Sequence, residues 1–279
     1  MLDKIEKIGN STIQHGKYND RIYLMKLDPN EIDILIPELE RLAKEHGYSK
    51  LFAKIHKSSE ADFKDHGFEE EAFIPKFYEG KEQAVFLGKF LSPDRAFMEE
   101  EIRDNINKNI DIAKSKMNKG IDKKFPEGLS ITKIPESDAG QLADLYKSVF
   151  PTYPFPIHDA DYLLEVMKTH VDFFGVYDGD NLVAAASAEM DHNAKNAEMT
   201  DFATDPNYLG KGLALFILDE MDRYIKEKGY PTVYTIARSM SPGMNITFAK
   251  LGYEFTGTLV NNTNISGNIE SMNIWYKNF

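Results

Sequence analysis

The 279-residue sequence predicts an α/β protein, a mixed-sheet α+β domain at the C-terminal end preceded by a smaller α/β domain. Three observations carry this. Apolar runs of strand length alternate with stretches of helical period along most of the chain. The turn Leu209-Gly210-Lys211-Gly212-Leu213-Ala214 joins one strand-like run to a long amphipathic stretch. A polar, helix-favouring segment, Ala96 to Lys124, closes on Pro126 and Gly128 and divides the chain. The division predicts residues 1–95 as one domain, 96–128 as a helix and linker, and 129–279 as the second domain.

In chain order, Arg21 to Met25 and Leu51 to Ile55 read as strands, Glu31 to His46 as an amphipathic helix and Ala84 to Phe90 as a further strand. After the linker, Leu129 to Ile134 is a strand, and Ser137 to Phe150 has apolar residues at helical spacing behind Ser137 or Asp138 as cap. Three prolines between Pro151 and Pro156 exclude regular helix there, and Asp159 to His170 reads as the next helix. Phe173 to Tyr177 and Leu182 to Met190 flank Asp178-Gly179-Asp180-Asn181, a hairpin. Ala197 to Thr204 leads into the glycine turn, and the helix from Gly212 to Lys228 stops at Gly229. Strands over Thr232 to Ala237, Glu254 to Leu259 and Ser271 to Tyr276 finish the chain, with a short helix from Gly243 to Lys250.

At the glycine turn, Gly210 and Gly212 remove the side chains that would hold a ligand off the backbone. The first N–H groups of the following helix lack intrahelical partners. Together these make a seat for an anion such as a phosphate.

Composition narrows the function. With 42% apolar and 28% charged residues the chain reads as water-soluble and globular, and no apolar run approaches the ~18 residues of a membrane span. The opening MLDKIEKIGNSTIQHG is charged throughout and is no secretory signal, so a cytoplasmic location is expected. The absence of cysteine excludes disulfides, thiolate metal sites and a cysteine nucleophile. A formal charge of -12 argues against general nucleic-acid binding. The seven histidines show no pair at ligand spacing, so no metal is expected.

The order β-α-α-β-β-β-α-β-α-β-β over 129–279, with a glycine turn between the fourth strand and third helix, resembles the GNAT superfamily of N-acetyltransferases, which use acetyl-coenzyme A. The family turn reads Arg or Gln, two residues, Gly, one residue, Gly or Ala; here Leu209 departs from the first position, while Gly210 to Ala214 keep the small residues. The resemblance implies that the backbone of Gly210, Lys211, Gly212, Leu213 and Ala214 holds the pyrophosphate, with Leu209 beside it. It also implies that Phe202, Ala203 and Thr204 at the strand end, and Asn245 and Phe248 in the later helix, line the coenzyme. The segment Phe248-Ala249-Lys250-Leu251-Gly252-Tyr253 falls where the family has Tyr-x-x-x-Gly-Phe, with Phe248 in place of the tyrosine that often protonates the departing thiolate. Tyr253, Tyr234, Tyr208 or water then remain as donors. The run Gly257 to Tyr276 and the stretch Ser239 to Asn245 further resemble the beta-lysine N-acetyltransferases, as does the N-terminal region. That resemblance implies the side-chain amine of beta-lysine as acceptor and N6-acetyl-beta-lysine, a compatible solute, as product. Another small amine, a polyamine, a protein lysine, or a non-catalytic acyl-coenzyme A sensor stays open, as does a homodimer.

Acetyl transfer needs a neutral amine, and an alkylammonium with a pKa near ~10.4 must lose a proton to a base. Glu198 is the favoured base, at an offset from the glycine turn similar to that of the catalytic glutamate in histone acetyltransferases of the superfamily; Asp201 is the substrate-ammonium partner or alternative base. Strand period two puts Glu198 and Asp201 on opposite faces unless a bulge intervenes. Glu189, with Asp191 and His192, could complete an acidic cup. Arg238, Asn245 and Asn273 are candidates for the substrate carboxylate, and Thr152, Tyr153 and Phe155 of the proline loop for substrate contact. Finally, residues 50–70 mimic 233–254 in outline, with Phe63 four before Gly67-Phe68 as Phe248 is four before Gly252-Tyr253. This predicts the N-terminal domain as a degenerate half of the same fold, without a Gly-x-Gly turn and without coenzyme binding.

Overall fold

The computed structural model describes residues 3–265 and 267–279. Parallel strand neighbours need a crossover, so the two long amphipathic helices mark where each sheet changes direction. The first sheet runs, edge to edge, β1 (Lys4–Ile8), β2 (Ser11–Gly16), β3 (Arg21–Lys26), β4 (Lys50–His56), β6 (Glu82–Phe90), β5 (Glu69–Tyr78). Its one parallel pair, β3 and β4, is bridged by α1 (Ile32–His46), which buries Ile32, Leu35, Ile36, Leu39 and Ala43 at helical spacing. The second sheet runs β12 (Glu254–Ile265), β13 (Asn268–Asn278), β11 (Thr232–Arg238), β10 (Asn196–Thr204), β9 (Asn181–Asp191), β8 (Val171–Asp178), β7 (Leu129–Lys133). Its parallel pair, β10 and β11, is bridged by α7 (Leu213–Glu227), which buries Leu213, Leu215, Ile217, Leu218, Met221 and Ile225.

The two sheets share one strand order, and the second adds β7 together with α5 (Ala139–Val149) and α6 (Ala160–Met167). The likeness reaches single residues. Asp28 and Asp205 each open a 3-10 turn by accepting a hydrogen bond from the amide of Asn30 and Asn207, within the same Asp-Pro-Asn triplet. Gly47-Tyr48 and Gly229-Tyr230 end α1 and α7, the tyrosine amides donating back to Ala43 and Ile225. After the second strand of each parallel pair come α2 (Glu60–Asp65) and α8 (Pro242–Lys250). Phe68 donates its N–H to Phe63 and Tyr253 to Phe248, and the rings of each pair stand edge to face at 5.1 Å. Strands β5 and β12 carry their bulges at matching places, 70/72 and 74/78 in one and 255/257 and 259/263 in the other. The expected strand-helix-strand unit over 50–70 is therefore present.

The halves meet through β5 and β12. A Cβ on Gly257 would stand 2.0 Å from the Glu71 carbonyl, so only glycine allows this approach. Lys50, fully buried, binds Glu71 at 2.8 Å and donates to the Val260 carbonyl at 2.8 Å. The contact is reciprocal: Asn196 of β10 donates to the Phe77 carbonyl of β5 at 3.1 Å, and Arg21 of β3 donates to the Asn262 carbonyl of β12. Tyr23, Phe52, Phe77, Phe86, Tyr234, Leu259 and Ile274 form a core that spans both halves.

Of the segment expected as a helix plus linker, Ala96 to Lys124, the helix is α4 (Glu100–Lys114), and a separate short helix, α3 (Pro93–Ala96), capped by Ser92, ends where that segment begins. Phe97, in extended conformation, separates them. Helix α4 lays Ile106, Ile110 and Ala113 inward, and beyond it Asn118 and Gly120 donate to Ala249 and Lys250 of α8. The closing hairpin, β12 and β13, is longer than the sequence suggests, because the Asn- and Thr-rich run 258–265 continues the strand.

Candidate active site

Strands β10 and β11 pair only from Asn196–Thr232 to Glu198–Tyr234. Beyond that point β10 stays with β9 as far as Thr204, and β11 stays with β13 as far as Arg238. The sheet thus splits between the C-terminal ends of two parallel strands, where open α/β sheets hold ligands. A cavity of about 590 Å³ fills the split and the space between the halves. Glu189, Glu198, Asp201, Phe202, Tyr153, Phe155, Arg238 and Phe248 line it, and so do Arg21, Tyr23, Phe52 and Lys54 from the N-terminal half.

The bulge that the two carboxylates required is present. The β9–β10 register shifts between Thr200 and Ala203, and Asp201 takes φ 56°, a left-handed conformation uncommon outside glycine. This turns Asp201 to the cavity that Glu198 also lines, where it accepts from the Ser187 hydroxyl at 2.6 Å and from the Tyr153 hydroxyl. Burial raises the Asp201 pKa despite those two bonds.

Glu198 lies directly across from Glu189 on β9. Burial first, and then the Glu189 charge, push Glu198 up to about 7, while Lys54 and the Tyr234 hydroxyl pull the other way. Glu189 is raised by burial, with Lys54 and His170 opposing. Lys54 Nζ stands 3.4 Å from the Tyr234 hydroxyl. Although burial alone would lower the pKa of Lys54, the surrounding tyrosines and Glu198 hold it well above the usual lysine range. Tyr234 and Tyr153 are raised by burial and carry their protons at neutral pH. The site thus has an acidic end, one buried cation beside it, and a carboxyl whose proton is in balance near neutrality.

At the glycine turn, Gly210 and Gly212 have φ 78° and 77° with open space where a Cβ would be. The N–H of Leu215 is bonded to the Gly212 carbonyl, so the N–H groups ahead of it precede the helical ladder. Leu209 is 65% exposed, and the Lys211 ammonium rests over the Tyr208 ring at 4.7 Å. A phosphate-bearing group fits this turn: backbone donors, no side-chain obstruction and one free-standing cation. Phe202 meets Phe248 edge to face at 5.5 Å, Ala203 is buried under α5 and Thr204 ends β10.

Other expected positions fall elsewhere. Asn245 and Asn273 are fully buried and bound to each other at 2.9 Å. Asn245 also serves Trp275, Arg238 and Ser241, and Asn273 accepts from Thr258, so neither amide is left for a ligand. Arg238 reaches the cavity but makes a two-pronged pair with Glu270 at 2.6 and 2.9 Å, which neutralises it. Thr152 accepts from the Gly267 amide instead of lining the cavity. Asp191 caps the Asn193 turn and His192 meets Tyr230, so of the expected acidic cup only Glu189 faces the site. Among the tyrosines, Tyr253 is bound to Asp222 in the core and Tyr208 to Asp178 outside the cavity. Tyr234 alone of the three lines the cavity.

Residues 141–253 match the acetyltransferase (GNAT) family. Over 278 residues, covering 99% of both chains, the sequence is 42% identical to the beta-lysine N(6)-acetyltransferase of Methanococcus maripaludis. The chain belongs to the GNAT acetyltransferase family. It is also 34% identical to the beta-lysine N(6)-acetyltransferase of Methanosarcina mazei, over 75% of this chain and 83% of that one. It is 29% identical to the N-acetyltransferase YodP of Bacillus subtilis over 99% of each. The protein is accordingly an N-acetyltransferase. Among the described residues no group of three or more His, Asp or Glu side chains is placed to hold a metal, and no helix is long and apolar enough to cross a membrane.

The residues that sequence reasoning missed are Tyr23, Lys54 and Arg21. Their signal was present but unread: in β3 and β4 alternate residues of one face are Arg21 and Tyr23, and Lys50, Phe52 and Lys54, an unusual set of cations between aromatics on strands that otherwise bury aliphatics.

Proposed function

We propose that this enzyme transfers the acetyl group of acetyl-coenzyme A to the side-chain amine of beta-lysine, giving the compatible solute N6-acetyl-beta-lysine in the cytoplasm. The observation that carries the reading is the acidic end of the cavity, Glu189, Glu198 and Asp201, on a chain similar over its whole length to enzymes named for that reaction. Three carboxylates lining one end suit a cationic amine.

When bound, acetyl-coenzyme A supplies the activated acyl group; Gly210 to Ala214 would hold its pyrophosphate, with Lys211 as a nearby cation. The residues of the cavity do the rest. Glu189 and Asp201 attract and orient the substrate ammonium, and Asp201 is fixed by Ser187 and Tyr153. Glu198 takes one proton of the ammonium before attack, directly or through water, so that the neutral amine can form the C–N bond as the C–S bond breaks; the second proton, lost from nitrogen as the amide forms, replaces the one that Tyr234 gives to the sulfur. The Glu198 carboxyl at about 7 suits this work, since a base with that pKa is half ionised at neutral pH and still basic enough to accept a proton. Tyr234, kept protonated beside Glu198, is the hydroxyl from which the leaving sulfur can recover a proton, and Lys54 moderates the charge of the acidic end.

The test is thiol release from acetyl-coenzyme A with beta-lysine, alpha-lysine and spermidine offered separately. Turnover selective for beta-lysine supports the reading. Turnover selective for spermidine moves the acceptor to the polyamines, and no turnover with any amine overturns it.

A further inference from the structure

The cavity also holds a buried cation that forms no ion pair among the described residues. Arg21 is 5% exposed and lines the cavity. Its Nη1 donates to the Asn262 carbonyl and to the Thr263 hydroxyl; Nε has no partner, and no hydrogen bond or ion pair reaches Nη2 among the described residues. The carboxylates whose charge reaches it are bound elsewhere, Asp3 to Tyr18 and Asn19, and Glu71 to Lys50 and the Val260 amide. Asn262, bonded to Arg21 through its carbonyl, is 1% exposed, lines the same cavity, and leaves Oδ1 unpartnered. Isolated buried charges and orphaned amides are costly, and both occur here at one spot that opens on the cavity.

The other half of the molecule shows that an arginine is more than the fold needs here. In the parallel pairs, Arg21 faces Lys50 as Asn196 faces Thr232, so the two residues are equivalent. Both donate across to the equivalent bulged strand, Asn196 to Phe77 and Arg21 to Asn262. Asparagine suffices for that bond. The guanidinium brings two further donors and a charge that the interface leaves unused.

We propose that Arg21 is the seat of the substrate's carboxylate, a specificity-determining residue contributed by the N-terminal half. Its planar fork fits a carboxylate. Arg21 and Tyr23 are two residues apart on one face of β3, roughly 7 Å, and both line the cavity that Glu198 and Lys54 line. An extended 3,6-diaminohexanoate spans roughly 7.5 Å from carboxylate carbon to terminal nitrogen by ordinary bond lengths.

The proposal rests on the reading of the acceptor as an aminocarboxylate, and a binding experiment separates the two. Calorimetric titration of beta-lysine and beta-lysinamide, and of 6-aminohexanoate and hexylamine, compares the wild type with Arg21→Gln and Arg21→Lys. The wild type is expected to bind each acid about 10- to 100-fold more tightly than its uncharged counterpart, the size of one charge-assisted contact. In Arg21→Gln the acids should fall to the level of the counterparts, and Arg21→Lys should recover part of the preference. Equal weakening of both members of each pair, or a preference retained in Arg21→Gln, overturns the proposal. If Arg21→Gln does not fold, Arg21→Lys carries the test: an undiminished preference without the planar fork overturns it. A wild type that prefers 6-aminohexanoate to hexylamine yet does not acetylate beta-lysine keeps Arg21 and removes the acceptor assignment.

Discussion

The two halves of this chain are built on one plan, and two differences between them set them apart, one in the turn before the crossover helix and one in the parallel strand pair. After the shared Asp-Pro-Asn turn, the N-terminal half passes from Glu31 straight into α1 at Ile32; the C-terminal half inserts Leu209-Gly210-Lys211-Gly212 before α7 begins at Leu213. Only the second helix therefore starts from a left-handed glycine with open space around it, and only there can a phosphate approach the backbone. The other difference is chemical. Where Glu198 faces Tyr234 in one half, Tyr23 faces Phe52 in the other. One half carries the proposed base and the glycine turn, while the other supplies the opposite wall of the same cavity. The half without the glycine turn still contributes to the cavity: its strands bring Lys54, Tyr23 and Arg21 to it.

The largest expected effect breaks the equivalence of Glu198 and Tyr23. Glu198→Gln should lower kcat/KM by ~10²- to 10⁴-fold in the thiol-release assay, the range for loss of a general base. Tyr23→Phe should cost at least ten times less; equal losses would mean that chemistry is shared between the halves. Next, Gly212→Val should weaken acetyl-coenzyme A binding ~10-fold or more by calorimetry, since a β-branched residue resists φ 77° and its side chain fills the open space. An unchanged affinity would remove the inserted turn from the coenzyme site.

Smaller effects concern pH. With Glu198 as the proposed base and its pKa pushed by burial and Glu189 to about 7, the wild-type rate should rise as pH increases through 7. Lys54 holds that pKa down, so Lys54→Met should move the rising limb to higher pH, and a limb left in place would deny the N-terminal half its electrostatic part. The smallest effect is on stability. The folded-state pKa of Glu198 lies above its ordinary value of 4.5, so the native state binds more protons between pH 4.5 and 7 and stability falls as pH rises through that window. Glu198→Gln should thus raise Tm at pH 8 by a few degrees and leave it unchanged near pH 4. A Tm gain of the same size at both values would show that the carboxyl carries no such penalty.

Much of this was legible in the chain. The glycine turn, both long helices and the hairpin strands of the C-terminal half follow from period and punctuation, because α7 buries one face and β8 and β9 bury most of their residues. The bulge was legible as a need: Glu198 and Asp201 are an odd number of residues apart, and only an irregularity could bring both to one side. Asn245 and Asn273 were misread because a polar side chain in a helix or strand looks the same in sequence whether it meets a ligand or a buried tryptophan. Arg238 was likewise read as a candidate for the substrate carboxylate, and its partner Glu270 lies 32 residues away.

The sequence by itself determined the local elements, the coenzyme-type turn, the repeat of the Phe63 and Phe248 units and the candidacy of Glu198, since each depends on residues within a turn or two of one another. Only the tertiary structure decided which candidates face the cavity and which are spent on the core. It also decided that the second wall comes from β3 and β4, between 144 residues (198 − 54 for Lys54) and 177 residues (198 − 21 for Arg21) before Glu198. Periodicity states that a side chain lies on one face of a strand; what that face meets depends on how two sheets pack, and that is fixed by the close approach of Gly257 to β5 and the bonds of the buried Lys50–Glu71 pair to Val260.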